Sequence, residues 1–386
     1  MISNDYGELG YAMYFLRGQA ARARAAMALP PRLYAQNRDV LPGATHQYTR
    51  VRDILKLVDL HRANVVLLFA GYLLCNNGIL SQRSLKTLLV GLRARGSVVV
   101  TEDPFLGLAS RLRRTRGVAS RSKRARGGNE PALPPETRET AAELGRTAEA
   151  LSSVIHLYHR APEEWLRDQP QRSVTFANAP PVELVQLPLE QRWLFIIGSH
   201  DLALQQQLAT REGEDLWQGQ LPGVKRFQGT VARLLEGTLA FGRKATLIAP
   251  GELVQALSPE LHARSELLEF CPLARFDSHV MRCEFVFYWN VFSASMLPRL
   301  AYHLPVFFFH PGHMAQLEWL PSLYERGLKL HYGGWKPIFL DQDRPLDGES
   351  LAATWQKSGF GNREVLRAWQ EAAPTPDVLL DRLVNE

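Results

Sequence analysis

Three cysteines in 386 residues, Cys75, Cys271 and Cys283, are an odd number with no CxxC spacing. That excludes a disulfide framework and a zinc ribbon, and it fits a reducing cytosol. No apolar run approaches the roughly 20 residues of a membrane helix, since the longest, Val65–Cys75, contains a Gly and a Tyr. The chain does not open with a basic stretch followed by a continuous apolar core, so secretion is not signalled. The patterns GxxxxGK[ST], GxSxG and GxGxxG and the kinase signatures are missing. ATP hydrolysis on a phosphate loop, α/β-hydrolase chemistry and a conventional dinucleotide site therefore lose their usual support. HExxH-type and Cys/His ligand spacings are missing too, so neither a metal nor a resident cofactor is expected.

Acidic charge is absent from one window. Arg111–Arg126 holds eight Lys and Arg and no Asp or Glu. The chain as a whole carries 45 Lys+Arg against 39 Asp+Glu, a formal charge of +6; outside the window 37 cations face 39 acids, or −2. The basic character belongs to one loop. That loop lacks the interleaved aromatics that stack on bases, so nucleic acid is not an expected partner. Residues 111–135, basic and then Gly/Pro-rich, read either as a solvated spacer or as a flap attracting an anionic or membrane-associated acceptor. The expected location is the cytoplasm, including the periphery of the inner membrane face.

What is present is an alternation of short apolar runs and helical patterns, the signature of parallel βαβ units. With 46% hydrophobic residues the chain can bury large cores, and its length predicts two domains. In the first half, Pro31–Gln36, Asn64–Gly71 and Ser97–Pro104 read as strands, with helices at Arg50–His61 and Gln82–Arg95. A polar helix is expected from about Glu136 to His159, with His156 and His159 on one face. After a Pro/Gln-rich stretch near residues 160–190 the pattern restarts. Strands are expected at Arg192–Ser199, Ala245–Gly251, Glu266–Leu273, Glu284–Asn290 and Pro305–Pro311, with helices at Gly229–Phe241 and Ser293–His303. The runs are Val/Leu-rich rather than alternating, as in sheets covered on both faces. The expected fold is α/β: two Rossmann-like, doubly wound domains facing a cleft, residues 1–175 and 176–386, with ligands at the carboxyl ends of the strands.

The chemistry is sought in strand-to-helix loops. In the opening NDYGELG, Glu8 and Asp5 sit at the mouth of the first βα unit, where a carboxylate can act as general base on a hydroxyl or amine; they can equally be solvated acids at a capped helix. In the second half, IIGSHD presents Gly198 and Ser199, and WNVFSAS delivers Ser293 and Ser295 to a helix start. Hydroxyls and N–H groups there suit a diphosphate, although Ser293 can also be an ordinary N-cap. In FFFHPGHM, His310 suits a hydrogen bond to a sugar or phosphate better than a metal. Asp341-Gln342-Asp343 imitates a metal-binding DxD motif but lies far from a first nucleotide-binding unit, and it is read as fortuitous.

The order of elements from Leu267 to Met314 resembles the nucleotide-sugar-binding half of GT-B glycosyltransferases, with a short helix near Phe276-Asp277, a Ser-containing turn, a helix with Ala301 and an "lPV" strand. The continuation through the Gly-rich turn to the Leu-Ala helix is similar to the end of that half, and NDYGELG resembles the DNYGDIG-type first loop of inverting members. The acids of that loop fall here on Asn4 and Glu8, with Asp5 shifted by one. The resemblance implies Glu8, or Asp5, as base, Gly198, Ser199, Asn290, Ser293, Ser295 and His310 at the donor, and Asn4, Tyr6 and Asp103 on the acceptor side. It implies inversion, because the Glu-x7-Glu pair of retaining members is not offered between Asn290 and Pro298. Arg226, Arg243 and Lys244 form a short list of cations for the leaving group. The expected activity is metal-independent transfer from a nucleotide-sugar co-substrate, with no cofactor. Two alternatives stand beside it: a nucleotide-sugar 2-epimerase-like enzyme, and a non-catalytic GT-B-like scaffold that binds through the basic loop.

Overall fold

The computed structural model describes residues 1–2, 6–16, 24–69, 71, 80–102, 145–159, 172–176, 188–211, 222–310, 312, 324–325, 328, 332, 335–359 and 374–385. The chain divides into two compact units, Met1–Asn178 with Ser322–Leu330 and Arg367–Glu386, and Ala179–Pro321 with His331–Leu366.

The first unit contains β1 (Met27–Leu29), β2 (Thr45–Gln47), β3 (Val65–Leu68), β4 (Val98–Glu102), β5 (Ile155–His159) and β6 (Ser173–Phe176). β1 pairs with β2, and β3 to β6 form a second sheet in numerical order, all parallel. Ile2 joins the two, bridging Ala28 on one side and Leu68 on the other in parallel sense. Its N–H donates to the Leu67 carbonyl at 2.8 Å, and its carbonyl accepts from Phe69 at 2.9 Å. Ile2 therefore acts as a one-residue central strand, and the order β2, β1, Ile2, β3, β4, β5, β6 reverses between Ile2 and β3.

Helices in this unit start and stop for local reasons. Val51–His61 places Ile54 and Val58 inward one turn apart, and Asp53 accepts the Arg50 N–H at 3.0 Å to close its first turn. Gln82–Ala94 buries Leu85, Leu88, Leu89 and Leu92, and Ser81 caps it by accepting from Ser84 at 3.1 Å.

The second unit contains β7 (Glu190–Ile196), β8 (Lys244–Ala249), β9 (Glu266–Glu269), β10 (Cys283–Tyr288), β11 (Val306–His310) and β12 (Phe339–Asp341). They form one parallel sheet in the order β12, β11, β10, β7, β8, β9, reversing between β7 and β10. Its core is an aromatic slab, with Phe287 stacked on Phe195 at 4.8 Å and on Phe309 at 5.6 Å. Both units are thus doubly wound α/β sheets of the same order.

Several sequence expectations need correction. Pro31–Asn37 is a helix rather than a strand: Pro31 fits the first helical position, where its missing N–H is harmless, and Leu33 and Asn37 are buried one turn apart. Ile155–His159 is a strand, so the helical spacing ascribed to His156 and His159 does not exist; only residues 145–150 of that expected helix are described as helical. Ser173–Phe176, within the stretch read as a boundary, pairs with β5. Glu266–Leu273 ends as a strand at Glu269, where Phe270 turns to φ 33°. The helix expected from Ser293 to His303 shrinks to a 3-10 turn, Ala294–Met296, and a five-residue helix, Leu297–Ala301.

Candidate active site

In doubly wound sheets ligands bind outside the carboxyl ends of the strands, beside the reversal of strand order. In the second unit that point is flanked by the exits of β7 and β10. Gly198 follows β7, and its N–H donates to Asp201 Oδ2 at 3.1 Å. Asp201 is 1% exposed and sits in the first turn of the helix Ser199–Arg211, where a carboxylate offsets the positive helix end. Ser199 is exposed at the start of that helix.

After β10 the chain turns tightly. Asn290 Oδ1 accepts from the Phe292 N–H at 2.9 Å, and the Asn290 carbonyl from Ser293 at 3.2 Å. The Ser293 and Ser295 hydroxyls are 3.0 Å apart, and Ser295 is 3.0 Å from the Tyr288 hydroxyl. Burial pushes the Tyr288 phenol well above its ordinary range, so it stays protonated and can donate into this chain. Ser293 therefore belongs to a hydroxyl chain, and the α-helix that follows begins after Met296 with no side-chain cap.

Other residues set the turn from beneath. A Cβ on Gly312 would lie 1.5 Å from the Trp289 carbonyl oxygen, so the backbone after β11 passes directly over the exit of β10. Tyr332 is fully buried, donates to the Val291 carbonyl and lies 3.2 Å from the Met296 sulfur. On the opposite, amino edge of the sheet Arg299, 0% exposed, donates to the carbonyls of Val280, Cys283, Glu284 and Pro305, tying together the starts of β10 and β11. Burial lowers its guanidinium to about 10, which leaves it charged at neutral pH. His310 is exposed at the end of β11, edge-on to Phe339 at 6.0 Å.

Gly198, Ser199, Asn290, Ser293, Ser295 and His310 thus share the carboxyl edge of the second sheet. Arg243 and Lys244 do not join them, because they lie where β8 begins, on the amino edge. There Arg243 Nε donates to Glu284 Oε2 at 2.7 Å, and that carboxylate holds its pKa above the ordinary value. Arg226 is exposed near the start of the helix Pro222–Ala240. Its neighbour Phe227 packs edge-on against Trp289 at 5.5 Å, which puts that helix start near the β10 exit. The Asp341-Gln342-Asp343 motif has structural partners: Gln342 accepts from the Trp289 indole at 3.0 Å, and Asp343 pairs with Arg233 at 2.9 Å.

In the first unit the reversal lies beside Ile2 and β3. Glu8 is 5% exposed in the first turn of the helix Tyr6–Phe15, and Glu102 is 1% exposed at the carboxyl end of β4. Both carboxylates act on Tyr11: burial first, then Glu102, then Glu8 push its phenol well above its ordinary value. Burial, and then Glu8, raise Tyr48 in the same way. Two buried acids thus stand with two phenols that remain protonated at neutral pH. A Cβ on Gly71, just after β3, would lie 1.8 Å from the Thr101 hydroxyl, so the β3 exit presses closely against β4. Asn4, Asp5, Asp103 and the basic window 111–135 lie outside the described residues, as does the side chain of Tyr6.

Sequence reasoning missed Glu102, Asp201, Arg299, Gly312 and Tyr332. Glu102 had a signal, since it ends the Val-rich run VVVTE. Among the described residues no three His, Cys, Asp or Glu side chains are grouped to hold a metal ion, and no helix is long and apolar enough to cross a membrane.

No family model and no curated protein matches the chain. Solved structures do. A UGT transferase of Siraitia grosvenorii in complex with UDP matches with a TM-score of 0.53 at 11% identity, covering 100% of both chains. The spinosyn forosaminyltransferase SpnP matches with a TM-score of 0.52 at 16% identity, over 100% of this chain and 99% of that one. The chain has the GT-B fold. Os79 of O. sativa in complex with UDP is similar as well, with a TM-score of 0.51 at 12% identity over 100% of this chain and 99% of that one. The two sheets with one strand order are the two Rossmann-like halves of the GT-B fold.

Proposed function

We propose that this protein is a glycosyltransferase that moves a sugar from a nucleotide-sugar donor to an acceptor nucleophile with inversion, without a metal ion. The supporting observation is the GT-B fold over the full chain, with hydroxyls at the strand-order reversal of one sheet and a buried carboxylate beside the reversal of the other. Two of the similar structures hold UDP.

In this reading the donor diphosphate rests on Ser199, Ser293 and Ser295 and on backbone N–H groups around Asn290, with His310 bonding a phosphate or the sugar. Asp201 already engages the Gly198 N–H, so glycine at 198 serves close approach of the chain. Of the three cations on the short list, Arg226 is the one retained, because its helix starts by Trp289. Glu8 takes the proton of the acceptor hydroxyl or amine. The freed lone pair attacks the anomeric carbon, the bond from that carbon to the diphosphate oxygen breaks, and the leaving group carries off the electron pair. Tyr11 and Tyr48, whose protonated phenols both feel the Glu8 carboxylate, orient the base. The acceptor is anionic or membrane-associated, drawn by the basic window.

A thermal-shift panel of nucleoside diphosphates and their sugars identifies the donor, because binding to the folded state raises apparent stability. With the donor known, Glu8→Gln is expected to lower kcat by about 10²–10⁴-fold, the usual contribution of general base catalysis, while donor binding persists. Full turnover by that variant would remove Glu8 as the base.

A further inference from the structure

A strongly charged cavity lies away from the proposed donor crevice. It has a volume of about 180 Å³ and sits where β7, β9 and β10 begin, against the helix Leu273–Arg282. β10 has six residues, which at about 3.3 Å per residue puts the length of a strand, roughly 20 Å, between this edge and the crevice.

Three guanidinium groups here meet only two carboxylates. Arg192 pairs with Glu190 at 2.9 Å and with Glu266, Arg275 with Glu266 at 2.7 Å, and Arg282 with Glu190 at 2.6 Å. With His279 neutral the lining carries one excess positive charge. Cys283 does not balance it, since burial pushes its thiol up to about 12. Two buried nitrogens belong to residues that line this cavity and have no hydrogen-bond partner among the described residues: Arg282 Nε, a donor, and His279 Nε2, a donor when it carries the ring proton. His279 Nε2 stands 3.5 Å from Glu266 Oε1, in ion-pair range only. Buried donors are nearly always satisfied, by protein, water or an ion. At roughly 30 Å³ per water molecule, the cavity has room for an oxyanion with part of its hydration shell.

We propose that this amino-edge cavity is a binding site for a phosphate-sized oxyanion, held by Arg282 Nε, His279 Nε2 and the Arg275 guanidinium. Such a ligand neutralises the excess charge and gives both buried donors an acceptor. Burial lowers the His279 pKa, with Glu266 opposing it. The imidazole is therefore neutral at pH 7, and an anion that stabilises its protonated form binds more tightly as pH falls below about 6.5. The charged groups facing it are Arg192, Arg275, Arg282, Glu190 and Glu266.

The test is a titration of the full chain with inorganic phosphate at pH 8, and with sulfate, a tetrahedral oxyanion whose charge does not change, at pH 6 and pH 8, read as thermal stabilisation against NaCl at equal ionic strength. Both oxyanions are expected to stabilise the protein, sulfate more at pH 6 than at pH 8, and NaCl is not. Arg282→Gln and Arg275→Gln are each expected to weaken phosphate binding about tenfold or more, the size of one charge-assisted hydrogen bond. Arg275 is half exposed, so its replacement leaves the fold intact even if Arg282→Gln does not fold. His279→Gln should remove the pH dependence. Equal stabilisation by NaCl, no phosphate effect, or unchanged phosphate binding in both arginine variants overturns the site.

Discussion

The two units share one strand order and surround the point where it reverses with different side chains. In the second unit the buried framework is a slab of stacked rings around Phe195, Phe287 and Phe309, and the residues above it are glycine, serine and asparagine. In the first unit the core cluster is mostly Leu, Val and Ile, and the polar load consists of two carboxylates, Glu8 and Glu102, with Tyr11 and Tyr48 beside them. A rim of hydroxyl donors, with the buried Asp201 carboxylate already accepting from the Gly198 N–H, suits a ligand that brings its own negative charge. Buried acids suit the removal of a proton. In the proposed reading topology sets where each site lies, and side-chain chemistry divides the labour.

The largest expected effect concerns Arg299, the one buried cation among the described residues. Its four carbonyl acceptors, on Val280, Cys283, Glu284 and Pro305, lie where β10 and β11 begin, on the amino edge of the second sheet. Arg299→Met leaves all four without this donor, at about 1–3 kcal/mol per buried unsatisfied group. A loss of at least about 4 kcal/mol is expected in denaturant unfolding, with hydrogen exchange rising in the second unit and little changed in the first. A loss below about 1 kcal/mol would mean that the carbonyls find other donors.

Next come the two glycines at the strand exits. At Gly312 an added Cβ meets a backbone carbonyl, that of Trp289, whereas at Gly71 it meets the side-chain hydroxyl of Thr101. The Thr101 hydroxyl can rotate away and leaves only its Cβ at 2.9 Å, whereas the Trp289 backbone carbonyl cannot turn aside without moving the chain. Gly312→Ala is expected to cost about 3 kcal/mol, the upper end of overpacking effects, and Gly71→Ala about 1 kcal/mol. Chemical denaturation of the two variants checks the order; the reverse order would show that the first unit is the tighter at its reversal.

Much of the fold was legible because both-face burial writes strands as apolar runs, as in Trp193–Ile197 and Val306–Phe309. What escaped was short or held by tertiary pairing. β1 and β2 have three residues each, and Ile2 does a strand's work alone. Pro31–Asn37 was hidden because seven residues barely show a helical period. At the site, Glu8 was legible from its place after the first strand residue. Arg299 was not, because nothing in a sequence tells a buried arginine surrounded by carbonyls from a surface one. Arg243 and Lys244 could have been sorted by order alone: residues that precede a parallel strand lie on its amino edge.

The smallest expected effect bears most directly on the division of labour. Ser295 stands between the Tyr288 phenol and the Ser293 hydroxyl, at 3.0 Å from each. Ser295→Ala removes two neutral hydrogen bonds on a half-buried turn and leaves Tyr288 facing Cβ, so the stability change should be about 1 kcal/mol. If the second unit binds donor and the first handles the acceptor, this variant should raise the donor KM about tenfold and leave the acceptor KM unchanged, with the Glu8→Gln defect in kcat undiminished when the two are combined. Sites that act independently add in free energy, so additivity of the double variant supports the division. A shift in acceptor KM, or a double variant whose kcat/KM for donor is no lower than that of Glu8→Gln alone, would mean that the hydroxyl chain takes part in the proton transfer itself.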